Sequence, residues 1–152
     1  MRLYLMRHGK PRPREEDPER GLTEEGKREA RAVARALAAV RPGLAAIWHS
    51  GKKRALQTAQ LVGQALGSSA PLKAHSGLEP LDPVSPLLEE LESCAGDLLI
   101  VGHLPQLSRL AARLLAGREE PPLLEFPAAG LACLEKQEQG WLLCFFLTPE
   151  LL

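Results

Sequence analysis

Cysteine is scarce in this 152-residue chain, with only Cys94, Cys133 and Cys144, widely spaced and odd in number. A disulfide framework needs paired thiols and a cysteine metal site needs close ones. The count therefore excludes both as an organising device and points to a reducing interior. Excess charge is missing as well: 19 basic and 19 acidic residues cancel. That argues against nucleic acid or an anionic membrane as a partner held by bulk charge, while leaving room for a small basic pocket. No apolar run approaches the ~18 residues of a membrane span, and Arg7 cuts the first run too short for a secretory segment. The expected setting is cytoplasmic. Asparagine is absent. With abundant Arg, that bias fits a heat-adapted source and a GC-rich genome equally, so it decides nothing. Repeats, low-complexity tracts and linkers are also lacking. Residues 1–152 are expected to form a single domain, large enough to bury about two-thirds of its unfolded surface.

What is present starts at Leu3-Tyr4-Leu5-Met6-Arg7-His8-Gly9. An apolar run without alternation reads as a strand buried on both faces, and Gly9 allows a sharp turn or a close approach. Arg7 and His8 then sit at the carboxyl end of a parallel strand, where open α/β sheets bind ligands. A neutral His there can act as nucleophile towards a phosphoryl group, with Arg7 as its clamp. The charged, proline-rich stretch 10–20 reads as a surface connector or as a rim beside that strand end.

Two more units of the same kind follow. Thr23 caps a helix with Ala30, Val33, Ala34 and Leu37 inward, stopped at Pro42-Gly43. A second buried strand, Leu44 to Trp48, delivers His49-Ser50-Gly51 to a helix carrying Ala55, Ala59, Val62 and Leu66 and stopped by Gly67. Lys52, Lys53 and Arg54 oppose the dipole of that helix's first turn, a local conflict that a bound anion would resolve. A short strand is expected at Leu72–Ala74. Ser85-Pro86 opens a helix as cap and first residue. Asp97 to Val101 is a third buried strand, delivering Gly102-His103 to a helix that Pro105 opens and Gly117 stops. Residues 131–134 and 141–147 read as an antiparallel hairpin, with Cys133 and Cys144 roughly opposite each other as small buried thiols. The fold class is α/β: a three-layer α/β/α sandwich, its sheet mostly parallel with the C-terminal hairpin at one edge.

Arg7, His8, Arg54 and His103 thus share one address at strand ends. Several fixed guanidiniums suit a phosphate dianion, and a second His can donate a proton or stabilise charge. His49 reads as a packing or hydrogen-bonding residue and His75 as surface. The four histidines have no carboxylate or thiol spaced to complete a metal site with them, so neither metal nor cofactor is expected.

Arg7-His8-Gly9, Leu22-Thr23-x-x-Gly26, Ser50-x-x-x-Arg54-Ala55-x-Gln57-Thr58-Ala59 and Val101-Gly102-His103 occur in this order. Together they resemble the histidine phosphatase superfamily. The short chain, Arg20-x-Leu22-Thr23 and Gly102-His103-Leu104-Pro105 are most similar to SixA-type phosphohistidine phosphatases. The resemblance implies that His8 accepts the phosphoryl group covalently. It implies that Arg7, Arg54 and His103 hold that group, with Arg20 at the rim and Ser50 in the pocket, and that water releases phosphate without a metal. Gly51 stands where the family pattern has proline, which is expected to loosen that turn. Larger members carry a general acid in an insertion between the second Arg and the second His. The interval here is short, and Glu79 or Asp82 lies where such an acid would fall.

The expected substrate is phosphohistidine on a protein: a compact, uncapped pocket lets a protein surface approach, and an imidazole can leave once protonated whereas an alkoxide needs a proton supplied. The alternatives are a phosphatase of small phosphate esters, in which Glu79 would contact the substrate, and a phosphate-binding module without turnover.

Overall fold

The structure is a computed structural model that describes residues 1–152. A six-stranded sheet forms its middle layer, in the order β3-β2-β4-β1-β5-β6. The strands are β1 (Arg2–Arg7), β2 (Leu44–His49), β3 (Leu72–Ala74), β4 (Asp97–Gly102), β5 (Leu131–Gln137) and β6 (Gly140–Leu147). The helices between them are α1 (Glu24–Ala38), α2 (Lys53–Leu66), α3 (Ser85–Ser93) and α4 (Gln106–Ala116). β1 to β4 run parallel, and β5 and β6 form the antiparallel pair at one edge.

The reason β1 and β4 are apolar throughout their middles, Leu3 to Met6 and Leu98 to Val101, is visible in the packing. Tyr4, Met6, Leu99 and Val101 face one core, which α1 covers with Ala30, Val33, Ala34 and Leu37 and α2 with Ala55, Ala59 and Val62. Leu3, Leu5, Leu98 and Ile100 face the other core, covered by Leu87 and Leu91 of α3 and Leu107, Leu110 and Ala111 of α4. Both parities of each strand are therefore buried, and the three layers follow. No helix is long and apolar enough to cross a membrane.

Four local expectations change. β2 is only partly buried, because its outer neighbour β3 pairs with no more than Ile47 to His49 and leaves the first half of the strand bare. α3 starts at Ser85 itself, behind the buried Val84, and no side chain caps it. Of the hairpin thiols, Cys133 is buried but Cys144 is exposed, because an irregularity in the pairing after Cys133 turns the outer strand. His75 is less bare than expected: its ring stacks on Trp48 at 4.0 Å and its Nε2 meets Glu90 at 2.8 Å.

Candidate active site

The sheet order brings together residues that lie far apart in the chain. β4 lies between β2 and β1, so the chain leaving each strand puts Ser50, His103 and His8 side by side at the carboxyl edge. Arg7 and Gly102 are register partners, and the His8 amide continues the ladder to Gly102 O at 3.1 Å. The chain leaving β1 passes to α1 on one face, and that leaving β4 passes to α4 on the other. The crevice between them is the switch point where open α/β sheets bind ligands.

His8 is 7% exposed and His103 2%. Their ring centroids lie 4.9 Å apart. His8 Nδ1 is 2.7 Å from Gly9 O. A carbonyl oxygen can only accept, so Nδ1 carries the hydrogen and Nε2 keeps its lone pair. Burial pushes the His8 pKa down to about 4, helped by Arg54, Arg7 and Arg20 and opposed by the Gly9 hydrogen bond. His103 falls to about 3, through burial first and then His8, Arg54, Lys52 and Arg7. Both rings are neutral at pH 7.

Around His8 stand cations without carboxylate partners. Arg7 donates from Nη1 to Phe126 O at 2.9 Å, while its Nε is buried and unpartnered. Arg54 joins no ion pair, and burial, then Arg20 and Arg14, lower its pKa. Arg20 sits at φ +53 with its Nε on Arg12 O at 3.3 Å, close enough to act on both His8 and Arg54. Lys52 and Lys53 behave differently from Arg54. Lys53 pairs with Asp17 at 3.1 Å and thereby ties down the 10–20 connector, while Lys52 pairs with Glu79 at 3.5 Å.

Ser50 Oγ lies 2.6 Å from His103 Nε2 and accepts the Lys52 amide at 3.3 Å. Glu79 is exposed, and its amide donates to Asp82 Oδ2 at 2.9 Å, so Asp82 is engaged in a turn. The Gly51 turn is built rather than loosened. Gly51 adopts φ +89 and donates its amide to His49 Nδ1 at 3.1 Å, and proline could do neither. No group of three or more His, Cys, Asp or Glu side chains is gathered where it could hold a metal.

Some of the supporting residues carried no assigned role in the sequence. Thr58 is fully buried; its Oγ1 accepts the Gly9 amide at 3.0 Å and donates to Arg54 O at 2.8 Å. Gln57 Oε1 accepts the Leu22 amide at 2.7 Å. The signal was a polar residue on the otherwise apolar Ala55–Ala59–Val62 stripe. The carbonyl of Phe126 and the amide of Ala129, which donates to His8 O at 3.1 Å, left no such signal. Gly9 and Gly26 allow close approach rather than a turn. A Cβ on Gly9 would lie 2.9 Å from Gly26 O, and one on Gly26 only 2.5 Å from Lys10 O.

The comparisons agree with this architecture. Residues 3–83 match the model of the histidine phosphatase superfamily, branch 1. A structure of the protein histidine phosphatase SixA complexed with tungstate is 26% identical, with a TM-score of 0.85, covering 98% of this chain and 97% of that one. A SixA-type structure from Agrobacterium tumefaciens is 28% identical at TM-score 0.77, covering 97% of each chain. A mycobacterial glucosyl-3-phosphoglycerate phosphatase, 20% identical at TM-score 0.69 and covering 95% of this chain and 97% of that one, shares the fold. No curated protein sequence matches. With a family match over more than half its length and SixA likeness over nearly all of it, the chain belongs to the histidine phosphatase superfamily and is a phosphatase.

Proposed function

We propose that this phosphatase removes phosphoryl groups from phosphohistidine on a protein, with His8 as the nucleophile, a covalent phosphohistidine intermediate and no metal. One observation carries the reading: a neutral, buried His8 whose Nδ1–H is spent on Gly9 O, with Nε2 free beside His103 and the unpaired Arg7 and Arg54.

In the first step the Nε2 lone pair of His8 bonds to phosphorus and the P–N bond of the substrate breaks. A substrate ring protonated on its far nitrogen leaves as neutral imidazole, so no proton has to be delivered. Gly9 O, on Nδ1–H, compensates the positive charge of the phosphorylated His8 ring. Arg7, Arg54 and His103 hold the equatorial oxygens, with Arg20 at the rim, doing electrostatically what a cation would do. Water then attacks phosphorus, the His8 P–N bond breaks, and both water hydrogens depart with dihydrogen phosphate.

Two features favour a protein substrate. Between Arg54 and His103 the chain forms α2, β3, α3 and β4, without an added cap to enclose a small ligand. The SixA structure it is similar to is described as a protein histidine phosphatase. A phosphatase of small esters is the second reading, supported by Glu79. Its side chain lies against Lys52, whose charge reaches His103, and in its protonated form would supply the proton an alkoxide needs.

The test is to mix the enzyme with a radiolabelled phosphohistidine protein and quench it in alkali. An acid-labile label on the wild-type chain that is absent from His8→Ala, together with lost turnover, is expected. Wild-type turnover by His8→Ala, or phosphate binding with no turnover, overturns the reading.

A further inference from the structure

A large cavity lies away from His8. It is an open groove of about 740 Å³ between α4, the 119–127 segment and the end of β6. Its floor is apolar: Phe126 and Phe146 meet edge to face at 5.3 Å, flanked by Leu104 and Pro127. Its rim is acidic, with four carboxylates, Glu119, Glu120, Glu125 and Glu150, against one guanidinium, Arg109. Arg109 is paired with Glu120 at 3.1 Å, and Glu119 reaches out of the groove to Arg113 at 3.5 Å. Glu125 and Glu150 are exposed and have no cationic partner. Thr148 Oγ1, also in the lining, is buried with no hydrogen-bond partner.

The groove adjoins residues of the candidate site through shared backbone. Leu104 and Pro105 follow His103 directly, and Phe126, which forms the floor, accepts the Arg7 guanidinium on its carbonyl. One surface thus has a cationic end at Arg7, Arg20 and Arg54 and an acidic, apolar end at Glu125, Glu150 and Phe146.

We infer that this groove is the docking site for the segment flanking the phosphohistidine of the substrate protein, a segment that carries a Lys or Arg beside a large apolar side chain. The inference rests on the protein-substrate reading above. Charge complementarity selects the occupant. The phosphoryl group fills the cationic end, and a basic residue a few positions away meets Glu125 and Glu150, so the two ends fix the direction of the bound segment. Its apolar neighbour covers the Phe126–Phe146 floor, and its backbone or a polar side chain meets Thr148. A small phosphate ester would fill the cationic end and leave the groove untouched.

The experiment compares two phosphohistidine peptides of equal length, one with Leu and Lys beside the phosphohistidine and one with Leu and Glu. Free phosphohistidine serves as the third substrate. The wild type is expected to favour the Lys peptide by about tenfold in kcat/KM, mostly through KM. Glu125→Lys/Glu150→Lys is expected to reverse the preference while hydrolysing free phosphohistidine at the wild-type rate, which also reports that it is folded. The milder Glu125→Gln/Glu150→Gln pair, expected to bring the ratio near one, serves if the reversal variant does not fold. Cleavage of free phosphohistidine with equal rates on the two peptides overturns the groove and leaves the proposed reaction standing. Failure of the wild type on every phosphohistidine substrate overturns the reaction, and the groove with it.

Discussion

The Ser50 hydroxyl lies 2.6 Å from Nε2 of His103, while Nδ1 of the same ring is buried without a partner. Ser50 is therefore the one side chain that orients the second histidine. It does so because β2 and β1 flank β4, so that Ser50 and His8 stand on either side of His103. Ser50→Ala should leave the ring free to turn. The loss of one such hydrogen bond, about 1 kcal/mol, should cut kcat roughly five- to tenfold with KM little changed. Ser50→Thr should restore part of it. Steady-state kinetics on one phosphate substrate decide this, and a pure KM effect would assign Ser50 to ground-state binding instead.

Arg54 stands among Arg7, Arg20 and Arg14 with no carboxylate to relieve it. Arg54→Ala should leave urea stability unchanged or raise it, while the rate falls on the order of 10²-fold or more. The His8 pKa should rise as one of its repelling cations disappears, which an NMR titration of the ring would register. A destabilised variant with normal activity would remove Arg54 from the site.

Thr58→Val keeps the shape but strips the acceptor from the Gly9 amide. A buried amide left unpaired costs about 1–3 kcal/mol, and here it lies next to His8, the proposed nucleophile, so stability and kcat should fall together. Thr58→Ser should retain both. Urea unfolding of the two variants provides the comparison.

Gly26→Ala would set its Cβ 2.5 Å from Lys10 O, backbone that has no room to yield, whereas a Cβ at Gly43 meets nothing within 4 Å. Gly26→Ala should cost about 1–3 kcal/mol or more, and Gly43→Ala close to nothing. Equal unfolding midpoints would show that α1 can back away from the Gly9 loop.

Both histidines of the candidate site have pKa values depressed when folded, about 4 for His8 and about 3 for His103, against about 6.5 unfolded. As pH falls below 6.5 the unfolded chain gains protons that the native chain does not. Stability should then drop progressively from about pH 6.5 to pH 4 for His8 and on to pH 3 for His103, by a few kcal/mol each at most. Urea midpoints at pH 7.5, 6 and 5 test the sign. In NMR titrations neither ring should change charge near pH 6.5.

Much of this was legible in the sequence because it depends on local rules. Continuous apolar runs at 3–6 and 98–101 require cover on both faces, and so predict a sheet between helices. Arg-His-Gly and Gly-His at the ends of those runs put the histidines at a carboxyl edge. Thr23 caps α1 through Gly26, and Gly67 and Gly117 stop α2 and α4 in left-handed conformations, as their types dictate. The exposure of β2 was not legible, because it depends on how few residues β3 contributes. His75 could not be read as the partner of Trp48 and Glu90, since the sequence does not say which side chains the second face gathers.

The sequence by itself determined the alternation of strands and helices, the family, and the residue types that can handle a phosphoryl group. Hydrophobic period and capping chemistry act over a few residues and leave their trace there. Only the tertiary structure decided that β4 inserts between β2 and β1. Strand order follows from which faces pack, and it makes neighbours of Ser50, His103 and His8. It also decided that Gly9 O fixes the His8 tautomer, that Lys52 and Lys53 are neutralised while Arg54 is not, and that an acidic groove adjoins the cationic pocket. Backbone carbonyls and long-range ion pairs have no residue-type signature, so these appear only when the chain is folded.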